Sequence, residues 1–461
     1  MSKLPVILIF DVGKTNKKIL LFNEQYRIVH EENKQLAEIK DEDGFPCEDV
    51  QSLTEWIKNS FAKLSADTRF DIKAINFSAY GASFVYLNEQ HEVFLPLYNY
   101  LKPYSAGLQN DFFQKYGGEN KISKQTASPV LGNLNSGLQL YRLKYERPES
   151  FSNIKYALHL PQYLSYLLSA KTISDITSIG CHTMLWDFKK DDYHSWVTEE
   201  GLIKKLPPIV NAESIAGYSD NKLPVGTGLH DSSAALIPYL ASFHEPFILL
   251  STGTWCISLN PFNHTPLTDD ELQRDCLCYL SYKGSPVKAS RLFAGYEHEQ
   301  QVKRLSSHFA KSNEYFGNVQ YSQGITGRIG RKYSNDNDGD HLPGQSIFEK
   351  RKLADFETYE EAYHQLIADI IHQQVKSTQL VLKGTNVKRI FVDGGFSKNQ
   401  VYMHLLAEAF PGMEVYAASV PQASAIGAAM AIHTHWNDQP LPSDIIELKL
   451  FSVQKNAMRE K

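Results

Sequence analysis

Residues 6–21, VILIFDVGKTNKKILL, place two apolar stretches on either side of a short polar turn. The stretches at 6–10 and 19–22 are rich in Val, Ile, Leu and Phe, which predicts two neighbouring strands of a buried sheet. A glycine in the turn lets backbone N–H groups approach an anion, lysine adds positive charge, and a carboxylate can hold hydrated Mg²⁺. The turn contains the carboxylate Asp11, the glycine Gly13, two small hydrogen-bonding residues, Thr15 and Asn16, and two cations, Lys17 and Lys18. They predict a phosphate-binding hairpin, with an ordinary charged turn as the alternative.

A second strand-turn-strand pattern occurs at residues 246–261, PFILLSTGTWCISLNP, more than 200 residues after the first. Two such units indicate a duplicated fold. Amphipathic spacing predicts helical segments at 51–66, 136–170 and 358–383, and strands alternate with helices over 389–433. Each half of the chain is therefore predicted to be an α/β domain.

The length of 461 residues allows roughly two to three domains. The pattern changes at residues 224–228, where a proline and two glycines stand close together. This change places the predicted boundary between residues 1–225 and 226–461.

Two further polar segments follow apolar stretches. VDGGFSKN, residues 392–399, contains Gly394, Gly395 and Asn399, and a glycine-rich turn of this kind suits a nucleotide. GTGLHDSS, residues 226–233, places Asp231 just before an apolar helix at 234–240. An aspartate at this position either caps the helix or accepts a proton from a substrate hydroxyl, and position alone leaves both readings open.

Composition limits the partners and the compartment. The net charge is −5, which is not typical of a nucleic-acid-binding protein, because such a protein needs a basic surface. Five scattered cysteines fit a reducing compartment, and Cys276 and Cys278, without a second Cys/His pair at zinc spacing, are predicted to be strand residues. No apolar stretch has the length of a membrane helix, and the first residues do not resemble a signal peptide. We expect a soluble, cytoplasmic protein without a nucleic-acid or membrane partner.

Four motifs in order, D-x-G-x-T-N, G-x-H-D, S-T-G-T-W and D-G-G-x-S-x-N, resemble those of the FGGY carbohydrate kinases. The resemblance covers roughly residues 6–433. It implies two ribonuclease-H-like α/β domains of the actin/hexokinase superfamily around a cleft, a sugar-binding domain at 1–225 and an ATP-binding domain at 226–461. ATP and Mg²⁺ are the cofactors it implies.

The resemblance also implies a role for each motif residue. Asp231 is expected to be the catalytic base and Asp11 the carboxylate associated with Mg²⁺. Residues expected to bind the nucleotide are Gly13, Thr15, Asn16 and Lys18 in the first turn, Thr252, Gly253 and Thr254 in the second, and Gly394, Gly395 and Asn399 in the third. Residues expected to contact the sugar are Gly81, Ser83 and His230, with packing in the interdomain wall as the alternative for His230.

Within the family, residues 77–88 and 228–236 are similar to segments of rhamnulokinases, although Ser83 stands where those enzymes have Asp. The resemblance implies a ketose substrate, with a 6-deoxy ketohexose such as L-rhamnulose or L-fuculose favoured over xylulose or ribulose. An actin- or chaperone-like ATPase and a sugar sensor without catalysis are the alternatives from other classes. A homodimer is the protein partner left open.

Overall fold

The two strands predicted at residues 6–22 lie at the centre of a seven-stranded sheet. The computed structural model describes residues 3–332 and 346–452. The strands of this N-terminal sheet are β1 (Leu4–Val12), β2 (Lys17–Asn23), β3 (Ile28–Lys34), β4 (Phe70–Ala79), β5 (Ile215–Tyr218), β6 (Pro224–Gly226) and β7 (Leu229–His230). They are ordered β5-β6-β4-β1-β2-β3, and β7 also pairs with β4. β1 to β3 are antiparallel, whereas β4 is parallel to β1. β7 lies beyond the predicted boundary at residue 225.

The C-terminal half repeats this arrangement, as the duplicated pattern predicts. Its strands are β8 (Phe247–Thr252), β9 (Cys256–Asn260), β10 (Cys276–Leu280), β11 (Pro286–Leu292), β12 (Arg389–Gly394), β13 (Glu414–Ser419) and β14 (Glu447–Phe451). They are ordered β10-β11-β9-β8-β12-β13-β14. β8, β9 and β11 are antiparallel, and β12 is parallel to both β8 and β13. The predicted pair of ribonuclease-H-like α/β domains is confirmed, and Cys276 and Cys278 are strand residues.

Helices cover the sheets and fill the segment between β4 and β5. In the N-terminal half they are α1 (Val50–Ser65), α2 (Ala106–Tyr116), α3 (Glu119–Gln125), α4 (Ser136–Glu146), α5 (Pro148–Asn153), α6 (Leu160–Ser169), α7 (Ile176–Ile179) and α8 (Ser195–Glu199). In the C-terminal half they are α9 (Asp231–Ser242), α10 (Asp269–Gln273), α11 (Ala294–His308), α12 (Gln323–Lys332), α13 (Tyr359–Leu382), α14 (Gln400–Ala409) and α15 (Ala423–Ala431). No helix within 3–332 and 346–452 is both long and apolar enough to span a membrane.

The helical segment predicted at 136–170 is interrupted by a strand, Tyr156–His159. This strand pairs antiparallel with Phe84–Leu87, so its backbone groups are satisfied by a partner that is distant in sequence. Pro161 then stands in the first turn of α6, where proline is favoured. Three other small sheets pair Glu38–Lys40 with Pro46–Glu48, Ser174–Asp175 with Ile209–Val210, and Trp186–Asp187 with Asp192–Tyr193.

Helices α9 and α15 connect the two domains. α15 packs against α9 and also against β1 and β4, so a helix from the C-terminal half covers the N-terminal sheet. One apolar core combines Ile7 and Ile9 of β1, Ala428 of α15 and Leu249 of β8. At the closest approach, a Cβ on Gly427 would lie 1.8 Å from the carbonyl oxygen of Ala234. The absence of a side chain at 427 therefore sets the distance between the helices.

Candidate active site

Asp11 lies near the end of β1, opposite Lys18 of β2 and Ser78 of β4. The hydroxyl of Ser424, in the first turn of α15, donates a hydrogen bond to Asp11 Oδ2 at 3.0 Å. Burial raises the pKa of Asp11 to about 6, and the negative charge of Asp231 adds to this shift, while the hydrogen bond from Ser424 and the charge of Lys18 oppose it. The two carboxylates are therefore close enough to repel each other, and a bound cation would relieve that repulsion.

Asp231 is the first residue of α9, and the N-cap position belongs to His230, whose side chain makes no capping bond. Asp231 Oδ1 accepts a hydrogen bond from the backbone N–H of Ser232 at 2.6 Å. The Asp231 side chain is 37% exposed, and its Oδ2 has no hydrogen-bond partner in the ranges that the structure describes. One carboxylate oxygen is thus free to accept a proton from a hydroxyl group.

The predicted sugar-contact residues lie beside Asp231. His230 is buried, which lowers its pKa and favours the neutral ring, and its Nε2 lies 3.4 Å from Asp231 Oδ1. A Cβ on Gly81 would lie 2.7 Å from His230 Cδ2, so the turn after β4 runs directly against the imidazole. Gly81, Ser83 and His230 all line one small cavity. The Ser83 hydroxyl, however, donates a hydrogen bond to the carbonyl of Tyr98 at 2.8 Å. The structure therefore brings Gly81, Ser83 and His230 together, and the Ser83 hydroxyl already donates its proton to a backbone carbonyl.

The first polar turn is short and closed. The backbone N–H of Gly13 donates to the carbonyl of Asn16 at 3.0 Å, and Thr15 and Asn16 are exposed. The side-chain oxygen of Asn16 accepts a hydrogen bond from Gln35 at 3.1 Å. Lys18 donates to the side-chain oxygen of Gln422 at 2.6 Å, just before α15. The turn thus presents exposed polar groups, and its lysine is held toward α15.

The second and third polar turns meet at a cavity of about 440 Å³ in the C-terminal domain. Four predicted nucleotide-binding residues line it, namely Thr252, Gly253, Gly395 and Asn399. The Thr252 hydroxyl donates to the carbonyl of Asp393 at 2.6 Å and accepts from the N–H of Phe396 at 3.0 Å, so it fastens the two turns together. Thr254 and Gly394 are exposed in these turns but do not line the cavity.

Close backbone contacts occur at Gly295, which lines this cavity, and at Gly394 in the adjoining third turn. A Cβ on Gly295 would lie 1.8 Å from the carbonyl oxygen of Gly253. Gly394 has φ of +92°, and a Cβ there would lie 2.0 Å from the carbonyl oxygen of Thr252. Only glycine fits both positions. Such a cradle, with exposed backbone and an amide side chain at Asn399, fits a nucleotide.

Several residues of the site were missed by sequence reasoning. Gln422 and Ser424, which contact the first turn, belong to no motif. The cavity is also lined by Gly295, His298, Phe316 and Lys398, of which only Lys398 lies inside a motif. Tyr100, whose pKa is raised by burial and by the charge of Asp231, lies in residues 95–105, a segment with three tyrosines that belongs to no motif.

Known proteins with a similar sequence support the resemblance. A rhamnulokinase from Mannheimia succiniciproducens is 26% identical over 275 residues, which cover 56% of this chain and 54% of that protein. An L-fuculokinase from Escherichia coli K12 is 24% identical over 278 residues, which cover 55% of this chain and 56% of that protein. The chain thus spans about half the length of these two relatives.

The same fold occurs in the crystal structure of a carbohydrate kinase from Novosphingobium aromaticivorans. The TM-score is 0.79 at 22% identity, and the match covers 98% of this chain and 94% of that one. Residues 6–237 match the N-terminal domain of the FGGY family of carbohydrate kinases, and residues 244–323 and 359–434 match its C-terminal domain. With both halves matched, the chain belongs to the FGGY family of carbohydrate kinases.

Proposed function

We propose that this protein is an ATP-dependent carbohydrate kinase that transfers the γ-phosphate of MgATP to a hydroxyl group of a ketose. The observation that carries the proposal is the position of Asp231. Its carboxylate is partly exposed, has a free oxygen, and lies near both the half-buried Asp11 and the buried His230. Asp231 is one member of a pair of carboxylates and lies next to an imidazole ring that can form a hydrogen bond. Phosphoryl transfer to a hydroxyl group needs a base in such surroundings.

The residues present fit Mg²⁺ and ATP. Asp11 and Asp231 repel each other, and the one cation among the main influences on the Asp11 pKa is Lys18. Asp11 would hold Mg²⁺. When bound, this ion would neutralise negative charge on the phosphates. The glycine-lined cavity at Thr252, Gly395 and Asn399 would hold adenosine. In this proposal residues 1–225 form the sugar-binding domain and 226–461 the ATP-binding domain, and Asp11, His230 and Asp231 act where the two domains meet.

The roles of this chain's own groups follow from their positions. Asp231 Oδ2 accepts the proton of the sugar hydroxyl as that oxygen becomes a nucleophile. His230, neutral because it is buried, offers a hydrogen bond to the sugar without adding charge. Helices α9 and α15 carry Asp231 and Ser424, so their packing fixes the relative position of the base and of Asp11. Positioning of this kind supplies much of the acceleration in phosphoryl transfer.

The favoured substrate is a 6-deoxy ketohexose of the L-rhamnulose or L-fuculose type. The similarity of residues 77–88 and 228–236 to rhamnulokinase segments supports it, as do the relatives named rhamnulokinase and L-fuculokinase. Xylulose and ribulose are the alternatives, because Ser83 replaces an aspartate and its hydroxyl is bonded to Tyr98.

The test is ADP release from MgATP with L-rhamnulose, L-fuculose, xylulose, ribulose, glycerol and no sugar. We expect strong stimulation by one 6-deoxy ketose and little turnover without sugar. Stimulation by xylulose or ribulose alone would keep the kinase and replace the substrate. Equal ATP hydrolysis with and without every sugar would contradict the proposal and favour the ATPase alternative.

The pH dependence should reveal Asp11. Its pKa of about 6 means that activity at limiting Mg²⁺ falls as the pH drops through 6, because the protonated carboxyl no longer attracts a cation. Ser424→Ala removes a donor that favours the carboxylate, so the loss should begin at higher pH, by about one to two units, since a hydrogen bond to a charged group contributes about 1.5–3 kcal/mol and one pKa unit equals about 1.4 kcal/mol.

The control is Ser307→Ala, which removes an exposed hydroxyl bonded to the Lys303 carbonyl of its own helix. Its pH profile should match that of the unaltered protein. If Ser424→Ala shows the same acid limb as the control, Asp11 is not the group that limits activity at low pH.

A further inference from the structure

We propose that Cys181, His182 and His230 form a binding site for a soft divalent cation such as Zn²⁺, separate from the Mg²⁺ that accompanies ATP. Each residue offers one ligand atom, and these three atoms lie within 4.8 Å of one another. All three side chains are buried. A thiol with two imidazoles is a donor set that suits Zn²⁺, whereas Mg²⁺ prefers oxygen ligands.

The first argument is the state of the ring nitrogens. Both nitrogens of His182 and the Nδ1 atom of His230 are buried and have no hydrogen-bond partner among the described residues. Unpaired buried polar atoms are costly, so three of them in one place call for an explanation. The adjoining cavity is lined by Gly81, Cys181 and His230 but is too tight to admit a water molecule. A single metal ion would bind one nitrogen of each ring, in less space than a sugar needs.

The second argument is the chemistry of the donor atoms. A neutral imidazole has one lone pair that can bind a metal, and His182 and His230 each supply one ring nitrogen to the cluster. The Cys181 thiol would release its proton to solvent as the metal–sulfur bond forms.

The third argument is the position of Asp231. His230 Nε2 lies 3.4 Å from Asp231 Oδ1, and its Nδ1 has no hydrogen-bond partner among the described residues. In this proposal the ring carries its proton on Nε2, toward Asp231, and binds the metal through Nδ1. A carboxylate behind a ligating histidine commonly orients the ring and raises its basicity. The thiolate and Asp231 together balance the charge of a dication. The nearby Arg291 is paired with Asp275 at 2.5 Å and does not oppose the metal with an uncompensated charge.

The functional consequence rests on the proposed kinase activity. A metal on Nδ1 would fix His230 and its neighbour Asp231, the residues proposed to contact the sugar and its hydroxyl. Micromolar Zn²⁺ would then inhibit sugar phosphorylation while leaving ATP binding intact. Binding itself is independent of catalysis and can be measured first.

The experiment titrates Zn²⁺ into the purified full chain by calorimetry with excess Mg²⁺ present, and repeats the titration with Co²⁺ by absorption. We expect one ion per chain and an ultraviolet band from the thiolate–Co²⁺ bond. Cys181→Ser and His182→Asn should each weaken binding at least about 100-fold, since loss of even an outer partner costs about 10–100-fold. Cys47→Ser, which removes a buried thiol elsewhere, should bind like the unaltered chain.

Two outcomes would overturn the inference. One is the absence of stoichiometric Zn²⁺ binding, or binding that Cys181→Ser and His182→Asn leave unchanged while circular dichroism shows them folded. The other is a higher KM for the sugar in His182→Asn without any metal effect, which would assign the imidazole to sugar recognition. Absence of sugar-dependent turnover in the unaltered chain would overturn the proposed function but would not affect the binding result.

Discussion

Replacing Asp231 by asparagine is expected to lower kcat by about 10²–10⁴-fold, the usual contribution of a general base. Asparagine keeps the size of the side chain and an oxygen that can accept the Ser232 N–H, so the start of α9 should be preserved. The amide cannot take the proton of the sugar hydroxyl. ATP binds to other residues in the proposal, so its Kd should change little. Steady-state ADP release and direct nucleotide titration provide the two measurements.

The matched control is Asp269→Asn. Asp269 is also an acidic residue at the start of a helix, α10, but it is exposed and pairs with Lys124. Its removal tests whether loss of a helix-terminal charge by itself affects turnover, and we expect near-normal activity. Near-normal turnover in Asp231→Asn as well would remove Asp231 from the role of base.

The strands of the first hairpin were predictable because short runs of Val, Ile, Leu and Phe are typical of strands buried in a sheet. The observed strands, Leu4–Val12 and Lys17–Asn23, extend the predicted ones at both sides because backbone pairing continues into the polar residues. The duplicated fold was predictable for the same reason, since both central hairpins repeat one pattern of apolar run, polar turn and apolar run. Local patterns therefore located the centre of each domain.

Contacts between residues that are far apart in the sequence are not marked by any such local pattern. Ser424 and Gln422 contact residues of the first hairpin that lie 413 and 404 positions away, and no periodicity in either segment marks the contact. His298 lines the cavity at the second and third polar turns because α11 packs against α13, where Tyr363 forms a hydrogen bond of 2.9 Å with its ring. The motifs predicted residues that lie at the candidate site. The residues that orient them are brought there by helix packing, which the sequence motifs do not show.

The packing of α9 on α15 gives the second large prediction, for Gly427→Ala. The added methyl group would lie 1.8 Å from the Ala234 carbonyl oxygen, far inside contact distance, and both sides of the contact are backbone. Neither helix can turn a side chain away, so the helices must separate. Overpacking of this kind costs about 1–3 kcal/mol, and we expect the free energy of unfolding to fall by about 3 kcal/mol, measured by urea denaturation.

The same change should also impair catalysis in the protein that stays folded. Asp231 begins α9, and Ser424 on α15 holds Asp11, so separating the helices moves the two carboxylates apart. A shift of about 1 Å can lower a rate about 10²-fold, and kcat at low temperature should fall by that order.

Gly327→Ala is the control, because Gly327 lies in helix α12 and a Cβ there would meet nothing within 4 Å. That substitution should leave kcat unchanged and raise stability by up to about 1 kcal/mol, since alanine favours a helix more than glycine does. The two substitutions are chemically identical, so opposite signs in the unfolding free energy would isolate the helix contact as the cause. If Gly427→Ala instead stabilises the protein and keeps its kcat, the close approach of α9 and α15 does not position the catalytic carboxylates.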